Sequence, residues 1–288
     1  MKHFIKIDFL FLGFIVLTTI LLICSWNQTA NVVDLLLTRG IIFTISIAII
    51  LLNPVFKSAL FNLLRNIYPV LFAGYFYTET VYYNKLFFDN LDPIFIKMDQ
   101  WIFGFQPSLE FSNYFSNPWF SELMYFGYFT LYVITLGFVF AMYFKRKTLF
   151  LENTFKVSFS LLFFYFIFSI FPSAGPQFYF DLPERAVPTN GYIFKDIIHA
   201  IQAGAEQPTG AFPSSHVGIT FVILILARKS LPLFFKICFP LAIILTLSTV
   251  YIKAHYAVDA IFGLLIAPFV VYLASLLFNT KVKKETIN

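Results

Sequence analysis

The sequence predicts an all-α fold, a polytopic membrane helix bundle with about eight transmembrane helices. Composition is the first reason. Of the 288 residues, 59% are hydrophobic and 12% are charged, and phenylalanine alone fills 41 positions. Soluble domains contain roughly 45–50% apolar and about 25% charged residues. A soluble domain of this length leaves roughly a quarter of its unfolded surface in water after folding, which excludes that class here.

Apolar runs of spanning length are the second reason, because a transmembrane helix needs about 20 mainly apolar residues. The runs lie at 7–26, 36–54, 62–82, 119–144, 154–172, 214–229, 236–252 and 256–278. The third run contains Arg65 and Glu79, and we expect Glu79 to pair inside the bundle or to lie at the interface. The sixth run is short and begins with Ser214 and Ser215.

The distribution of lysine and arginine predicts the orientation. With a cytoplasmic N-terminus, 14 of these residues fall on the cytoplasmic side and 6 on the outer side. The outer cations are Arg39, Lys85, Lys97, Arg185, Lys195 and Lys253. Because positive charge concentrates on the cytoplasmic side, we expect both termini there, in a multi-pass protein of the plasma (inner) membrane. No basic face accompanies the net charge of +5, so nucleic-acid binding is not predicted.

The same pattern divides the chain into four parts. They are N-terminal transmembrane helices (1–82), an outer interfacial segment (83–118), a catalytic helix bundle (119–279) and a cytoplasmic tail (280–288). Trp101 lies among phenylalanine and leucine in the second part, and Trp119 follows it directly. Aromatic side chains anchor segments at the membrane surface, so the second part is predicted to form short interfacial helices.

Three polar clusters interrupt the apolar pattern at the outer end of the predicted bundle. They lie at 171–177, 210–216 and 248–259. Ionisable side chains are costly in a membrane span, so each one is a candidate for function. Under the predicted topology the three clusters meet at one membrane surface.

The third cluster contains His255 and Asp259. Residues four apart on a helix share one face. An aspartate that accepts a hydrogen bond from one ring nitrogen fixes the histidine tautomer and makes the other nitrogen a better nucleophile or base. The pair is therefore a candidate catalytic unit.

The second cluster reads Pro213-Ser214-Ser215-His216 and is followed by an apolar run. This order is typical of a helix start with a serine cap. Free backbone N–H groups at such a start bind phosphate readily, and His216 in the first turn can donate a proton to a leaving group. The residues together predict a phosphoryl-transfer site that needs no metal.

These two segments resemble the second and third signature motifs of the type 2 phosphatidic-acid phosphatase superfamily, P-S-G-H and S-R-x5-H-x3-D. The histidines and the aspartate match in order and spacing at 213–216 and 248–259. The resemblance implies that His255 is the nucleophile, that Asp259 supports it and that His216 is the acid.

The wider resemblance covers about residues 90–265. The stretches 99–104, 122–132, 171–176 and 211–213 are more similar to the inositol-phosphorylceramide-synthase branch than to the superfamily at large.

The chain departs from the family pattern in its phosphate-binding cations. Thr249 replaces the arginine of the third motif, and no K-x6-R-P first motif is present. Lys253 is the best replacement, and Arg185 is a further candidate. Ser214 and Ser215 are expected to bind phosphate at the helix start.

The resemblance implies a membrane enzyme that acts on a lipid-linked phosphate at the outer face through a phosphohistidine. Water as acceptor gives a lipid-phosphate phosphatase, whereas a polyol or lipid acceptor gives a phosphotransferase. Neither a cofactor nor a metal is expected, because no cluster of Asp, Glu, His or Cys has ligand spacing. The alternatives are a catalytically inactive, lipid-binding relative and a transporter or flippase, which would carry ionisable residues mid-membrane in several spans.

Overall fold

A computed structural model describes residues 3–56, 58–183 and 186–280. Helices form all the regular structure of these ranges, and none of them contains a strand. The all-α prediction is confirmed.

Three long helices form the first part of the described chain. They are α1 (Lys6–Cys24), α2 (Val32–Leu52) and α3 (Ala59–Glu79). Both α1 and α3 pack against a helix of the second half of the chain.

Two buried ion pairs hold α3 between its neighbours. Arg39 of α2 donates to Glu79, with 2.6 Å between Nη2 and Oε2, and Arg65 donates to Asp8 of α1. All four side chains are almost fully buried. Removing one partner of such a pair leaves an unpaired buried charge, which is costly. The intact pairs allow α3 to hold charged side chains in an apolar environment. The prediction that Glu79 pairs inside the bundle is confirmed.

The segment at 83–118 folds into two short helices, as predicted. They are α4 (Asp92–Phe103) and α5 (Pro107–Tyr114). The Trp101 side chain is 87% exposed and Trp119 is 73% exposed. Such exposed aromatic side chains suit the headgroup region of a membrane.

The second half of the chain forms a bundle around one central helix. Its helices are α6 (Pro118–Lys145), α7 (Lys147–Phe168), α8 (Pro176–Tyr179), α9 (Ile193–Ala205), α10 (Ser215–Ser230), α11 (Pro232–Tyr251) and α12 (Ala257–Asn279). The helices α6, α7, α11 and α12 surround α10. Gly218 of α10 lies against the Phe164 ring, and a Cβ atom there would come within 2.1 Å of it.

Six of the described helices are long and apolar enough to cross a membrane, namely α1, α2, α6, α7, α11 and α12. The predicted count of about eight is not confirmed. The two missing predicted spans correspond to α3 and α10. The first of these, α3, contains Arg65 and Glu79 of the buried ion pairs. The second has 16 residues, which is about 24 Å against the roughly 30 Å of a bilayer core. Other helices surround α10, so little of it needs to face lipid.

Different helix ends meet at the two ends of the bundle. At one end, the Lys6 ammonium donates to the carbonyls of Phe278 and Thr280, so the start of α1 lies beside the end of α12. At the other end, the backbone N–H of Ser214 donates to the Asp259 carbonyl, so the starts of α10 and α12 are neighbours. The three polar clusters lie at this second end.

Candidate active site

The three polar clusters line one cavity at the end of the bundle where α10 and α12 begin. It opens to solvent, and the space in and around its mouth that no protein atom fills is about 290 Å³. The polar side chains in its lining include Tyr77, Tyr128, Gln177, Glu206, Gln207, Thr209, Ser215, His216 and His255. The structure therefore brings together the three segments that the predicted topology placed at one surface.

The tautomer of His255 follows from one hydrogen bond. Its Nδ1 lies 2.7 Å from the backbone carbonyl oxygen of Ala211. A carbonyl oxygen can only accept, so Nδ1 carries the proton and Nε2 of the neutral ring keeps a lone pair. This Nε2 lies 3.4 Å from Nδ1 of His216. The reactive nitrogen of His255 therefore faces the second histidine across the cavity.

Asp259 supports this ring differently from the sequence-based interpretation. His255 precedes α12, so the two residues do not share a helical face; Asp259 lies in the first turn. Its Oδ2 accepts from the Tyr256 backbone N–H at 2.8 Å and lies 3.7 Å from Nδ1 of His255. That distance is too long for a hydrogen bond. Asp259 therefore caps the helix and places its carboxyl group beside the imidazole, whereas Ala211 fixes the tautomer.

Burial controls the charge of His255. It lowers the pKa of the imidazole to about 4, and the hydrogen bond to Ala211 acts in the opposite direction. Desolvation disfavours the charged form of a base. His255 is therefore neutral at pH 7, with its lone pair available for attack.

The start of α10 provides the predicted anion site. Ser214 is the N-cap and its Oγ accepts from the Val217 N–H at 3.3 Å, which confirms the predicted cap. The N–H groups of Ser215 and His216 have no earlier helical carbonyl to bind, and both residues line the cavity. Gly263 lets α12 approach, since a Cβ atom there would lie 2.5 Å from the Ser214 carbonyl oxygen.

His216 is held by an aromatic ring and remains partly exposed to the cavity. The Tyr128 ring stacks on the imidazole with 4.5 Å between the ring centroids. The stacking fixes the plane of the imidazole, and Nδ1 faces His255.

Asp99 is a positioning residue that the sequence interpretation missed. Its carboxylate accepts from the backbone N–H groups of Ala257 at 3.0 Å and Val258 at 2.8 Å. It thus satisfies two free donors at the start of α12. Burial raises the pKa of Asp99, and these two hydrogen bonds act against the rise.

Asp92 holds a second segment of the site and was also missed. It accepts from the N–H groups of Ala174 at 2.7 Å and Gly175 at 2.8 Å, and from the Tyr256 hydroxyl at 2.8 Å. Gly175 has φ of +87°, and a Cβ atom there would lie 2.8 Å from the Ala254 carbonyl oxygen. Two aspartates seven residues apart in an apolar helix were the available sequence signal.

Of the two predicted phosphate-binding cations, the structure describes only Lys253, which is not part of the lining of the histidine cavity. Lys253 is buried, has φ of +62° and lines a second pocket together with Asn113, Ser116 and Tyr251. Arg185 lies outside the described residues. Among the described residues, the lining of the histidine cavity contains neither lysine nor arginine.

The described ranges contain no group of three or more His, Cys, Asp or Glu side chains that could hold a metal ion. The metal-free mechanism stays a prediction.

A comparison with protein-family models identifies the family of this chain. Residues 94–273 match the family model of the PAP2 superfamily, which is more than half of the chain. The chain belongs to this superfamily. The family and the apolar helices together indicate a multi-pass membrane protein of a phosphatase-like type.

A curated relative is a PA-phosphatase related-family protein of Dictyostelium discoideum, which is 28% identical over 102 residues. The match covers 33% of this chain and 18% of the relative, so the chain spans only a small part of that protein's length. No solved structure gives a significant match. The closer resemblance to the inositol-phosphorylceramide-synthase branch stays a prediction.

The charge state of His255 gives a testable prediction. A solvent-exposed histidine titrates near 6.5, and burial of the neutral ring should move the midpoint down to about 4. Ring ¹⁵N shifts of histidine-labelled protein in detergent, assigned with His255→Asn, measure this midpoint. A value at or above 6.5 would mean that the Asp259 charge outweighs burial and that His255 is a cation at neutral pH.

Proposed function

We propose that this PAP2-superfamily protein is an integral membrane lipid-phosphate phosphatase or phosphotransferase that works through a phosphohistidine on His255. One observation carries the proposal. The unprotonated Nε2 of His255 faces His216 across 3.4 Å, while Nδ1 is held at 2.7 Å by a backbone carbonyl. A fixed nucleophile opposite a second imidazole is an arrangement that supports phosphoryl transfer through a covalent intermediate.

In the first step, Nε2 of His255 attacks phosphorus and forms an N–P bond. The bond from phosphorus to the lipid oxygen breaks, and the leaving oxygen takes a proton from His216. A phosphate group bound at the start of α10 brings negative charge close to His216, which favours the protonated form of this histidine before the step. The His255 ring becomes positively charged, and Asp259 lies 3.7 Å from its Nδ1 to stabilise that charge.

In the second step, a hydroxyl oxygen attacks the phosphohistidine and the N–P bond breaks. His216, now neutral, takes the proton of the attacking group, so both histidines return to their starting states. Water as the attacking group releases phosphate. A polyol or a lipid hydroxyl accepts the phosphoryl group and gives a new ester. The two activities share every residue of the site.

The phosphate oxygens are proposed to bind at the start of α10. The N–H groups of Ser215 and His216, capped by Ser214, supply donors and the positive end of the helix dipole. The side-chain amide of Gln177 lines the same cavity. Lys253 faces the neighbouring pocket, so we propose that it acts on phosphate through its charge and not through direct contact.

An inactive lipid-binding relative and a transporter are the alternatives. Both would tolerate loss of the histidines without loss of function. The clustering of His216, His255 and Asp259 at one end of the bundle favours an enzyme, since a transporter site is expected near the middle of the membrane.

Substitution of the two histidines should have unequal effects. His255→Ala removes the nucleophile and should abolish turnover of every substrate. His216→Ala removes the acid and should lower kcat about 10²–10⁴-fold on a natural lipid phosphate, but much less on an aryl phosphate whose leaving group needs no proton. Asp259→Asn should slow both substrates because it removes negative charge beside the ring. Initial rates in detergent measure these effects.

The matched control is His199→Ala. His199 lies at the same end of the bundle, where its Nε2 contacts the Tyr125 hydroxyl at 2.9 Å, and it is not part of the cavity lining. It should keep near-normal rates. If a folded His255→Ala protein, checked by size exclusion, retains activity, the phosphohistidine mechanism is wrong.

We propose that the site faces outward in the plasma (inner) membrane, with α3 and α10 completing about eight crossings and both termini in the cytoplasm. In a protein with Cys24 and Cys238 replaced by alanine, a cysteine at exposed Lys85 should react with an impermeant maleimide added outside intact cells. A cysteine at exposed Lys229 should react only after lysis. The reverse labelling would contradict the proposed orientation.

A further inference from the structure

Glu206 places a carboxyl group in the histidine cavity, and no step proposed above uses it. The residue follows α9 directly and is partly buried. Its Oε2 accepts from Gln177 Nε2 at 2.6 Å, and its Oε1 accepts from Gln202 Nε2 at 2.8 Å and from the Tyr128 hydroxyl at 3.3 Å. All three donors are neutral groups.

The electrostatic setting of Glu206 is unusual for a phosphate site. Burial raises the pKa of its carboxyl group, and the three hydrogen bonds act against this rise. The net effect is a raised pKa, and a cation bound beside the carboxyl group would favour its ionised form. Among the described residues, the lining of the cavity provides no lysine or arginine to balance that charge. An ionised carboxylate has about four acceptor positions, so it can bind one more donor.

Aromatic side chains line the same cavity around this carboxylate. They are Tyr77, Tyr128 and Phe178. An ammonium group is attracted to the face of an aromatic ring, and more strongly when it is removed from water. Rings beside a carboxylate therefore form a suitable environment for an organic cation.

We infer that the cavity binds a phosphate ester that carries an ammonium group, with the phosphate at His216 and His255 and the ammonium at Glu206. The inference rests on the proposed function, because the histidine pair and the start of α10 define the phosphate end. A phosphate without a cation would lie near the carboxyl group of Glu206, with neither lysine nor arginine between them among the described lining residues. A zwitterionic ligand complements both ends of the cavity.

Two kinds of lipid have this chemistry. One is a phosphodiester with an ethanolamine or choline headgroup, in which the phosphate and the amine remain together on His255 after the lipid alcohol leaves. The other is the phosphate monoester of a long-chain amino alcohol, in which the amine leaves with the lipid. In both, the amine is separated from the phosphate by a short carbon chain.

Matched substrate pairs distinguish these sources and test the ammonium site. The diester pair is phosphatidylethanolamine and phosphatidylglycerol with the same acyl chains. The monoester pair is sphingosine 1-phosphate and octadecyl phosphate. We expect kcat/KM of the full-length protein in detergent to favour the amine in at least one pair by about tenfold, which corresponds to about 1.4 kcal/mol. The pair that shows the preference identifies the source.

Glu206→Gln should change kcat/KM for the two members of that pair in opposite directions. The variant removes the negative charge but keeps the size of the side chain. kcat/KM for the amine substrate should fall about tenfold, because its ion pair is lost. kcat/KM for the amine-free partner should rise, because its phosphate no longer meets a carboxylate. Asp89→Asn, which neutralises an exposed carboxylate outside the cavity lining, should leave the preference unchanged.

The outcomes separate the two claims. If the wild-type protein turns over none of the four lipids, the proposed function fails and this inference fails with it. If it turns over some of them without preferring an amine, the proposed function stands and the ammonium site is refuted. An equal loss on both members of a pair in Glu206→Gln also refutes it, since that result indicates a structural role. If Glu206→Gln does not fold, the preference of the wild-type protein for the amine substrate is itself the test of the ammonium site.

Discussion

The hydrogen bond from Nδ1 of His255 to the Ala211 carbonyl is the contact on which the candidate site depends. It joins the segment before α10 to the segment before α12, which are far apart in sequence. It also decides which ring nitrogen carries the proton, so that the lone pair of Nε2 faces His216. Burial keeps this imidazole neutral at pH 7, because it lowers the pKa to about 4. The hydrogen bond therefore sets the tautomer and orientation of the ring, whereas burial sets its charge.

Buried carboxylates hold the surrounding backbone in place. Asp99 and Asp259 accept from N–H groups at the start of α12, and Asp92 accepts from the segment that follows α7. Negative charge is favourable at a helix N-terminus. In the described part of the chain, Oδ1 of Asp259 has no hydrogen-bond partner. Such an oxygen is costly to bury, and it belongs to the carboxyl group that lies next to the His255 ring.

Local patterns were sufficient to predict the all-α fold and the Ser214 cap, because both depend on neighbours in sequence. The same patterns brought His216 and His255 together once the direction of each helix was assigned. Three features depend on backbone paths that no local pattern encodes. Ala211 contributes a backbone carbonyl and no side-chain group. Lys253 has a positive φ and lines another pocket. Glu206 follows the end of α9 and lines the histidine cavity. The central position of α10 likewise depends on the packing of four other helices.

Trapping of the intermediate tests the central claim most directly. The protein would be mixed with a ³²P-labelled lipid phosphate, quenched within milliseconds in alkali and analysed by peptide mass spectrometry. We predict label on His255, stable in alkali and lost in acid, as expected for a nitrogen–phosphorus bond. His255→Gln should carry no label. Turnover without a labelled His255, or label on another side chain, would contradict the account.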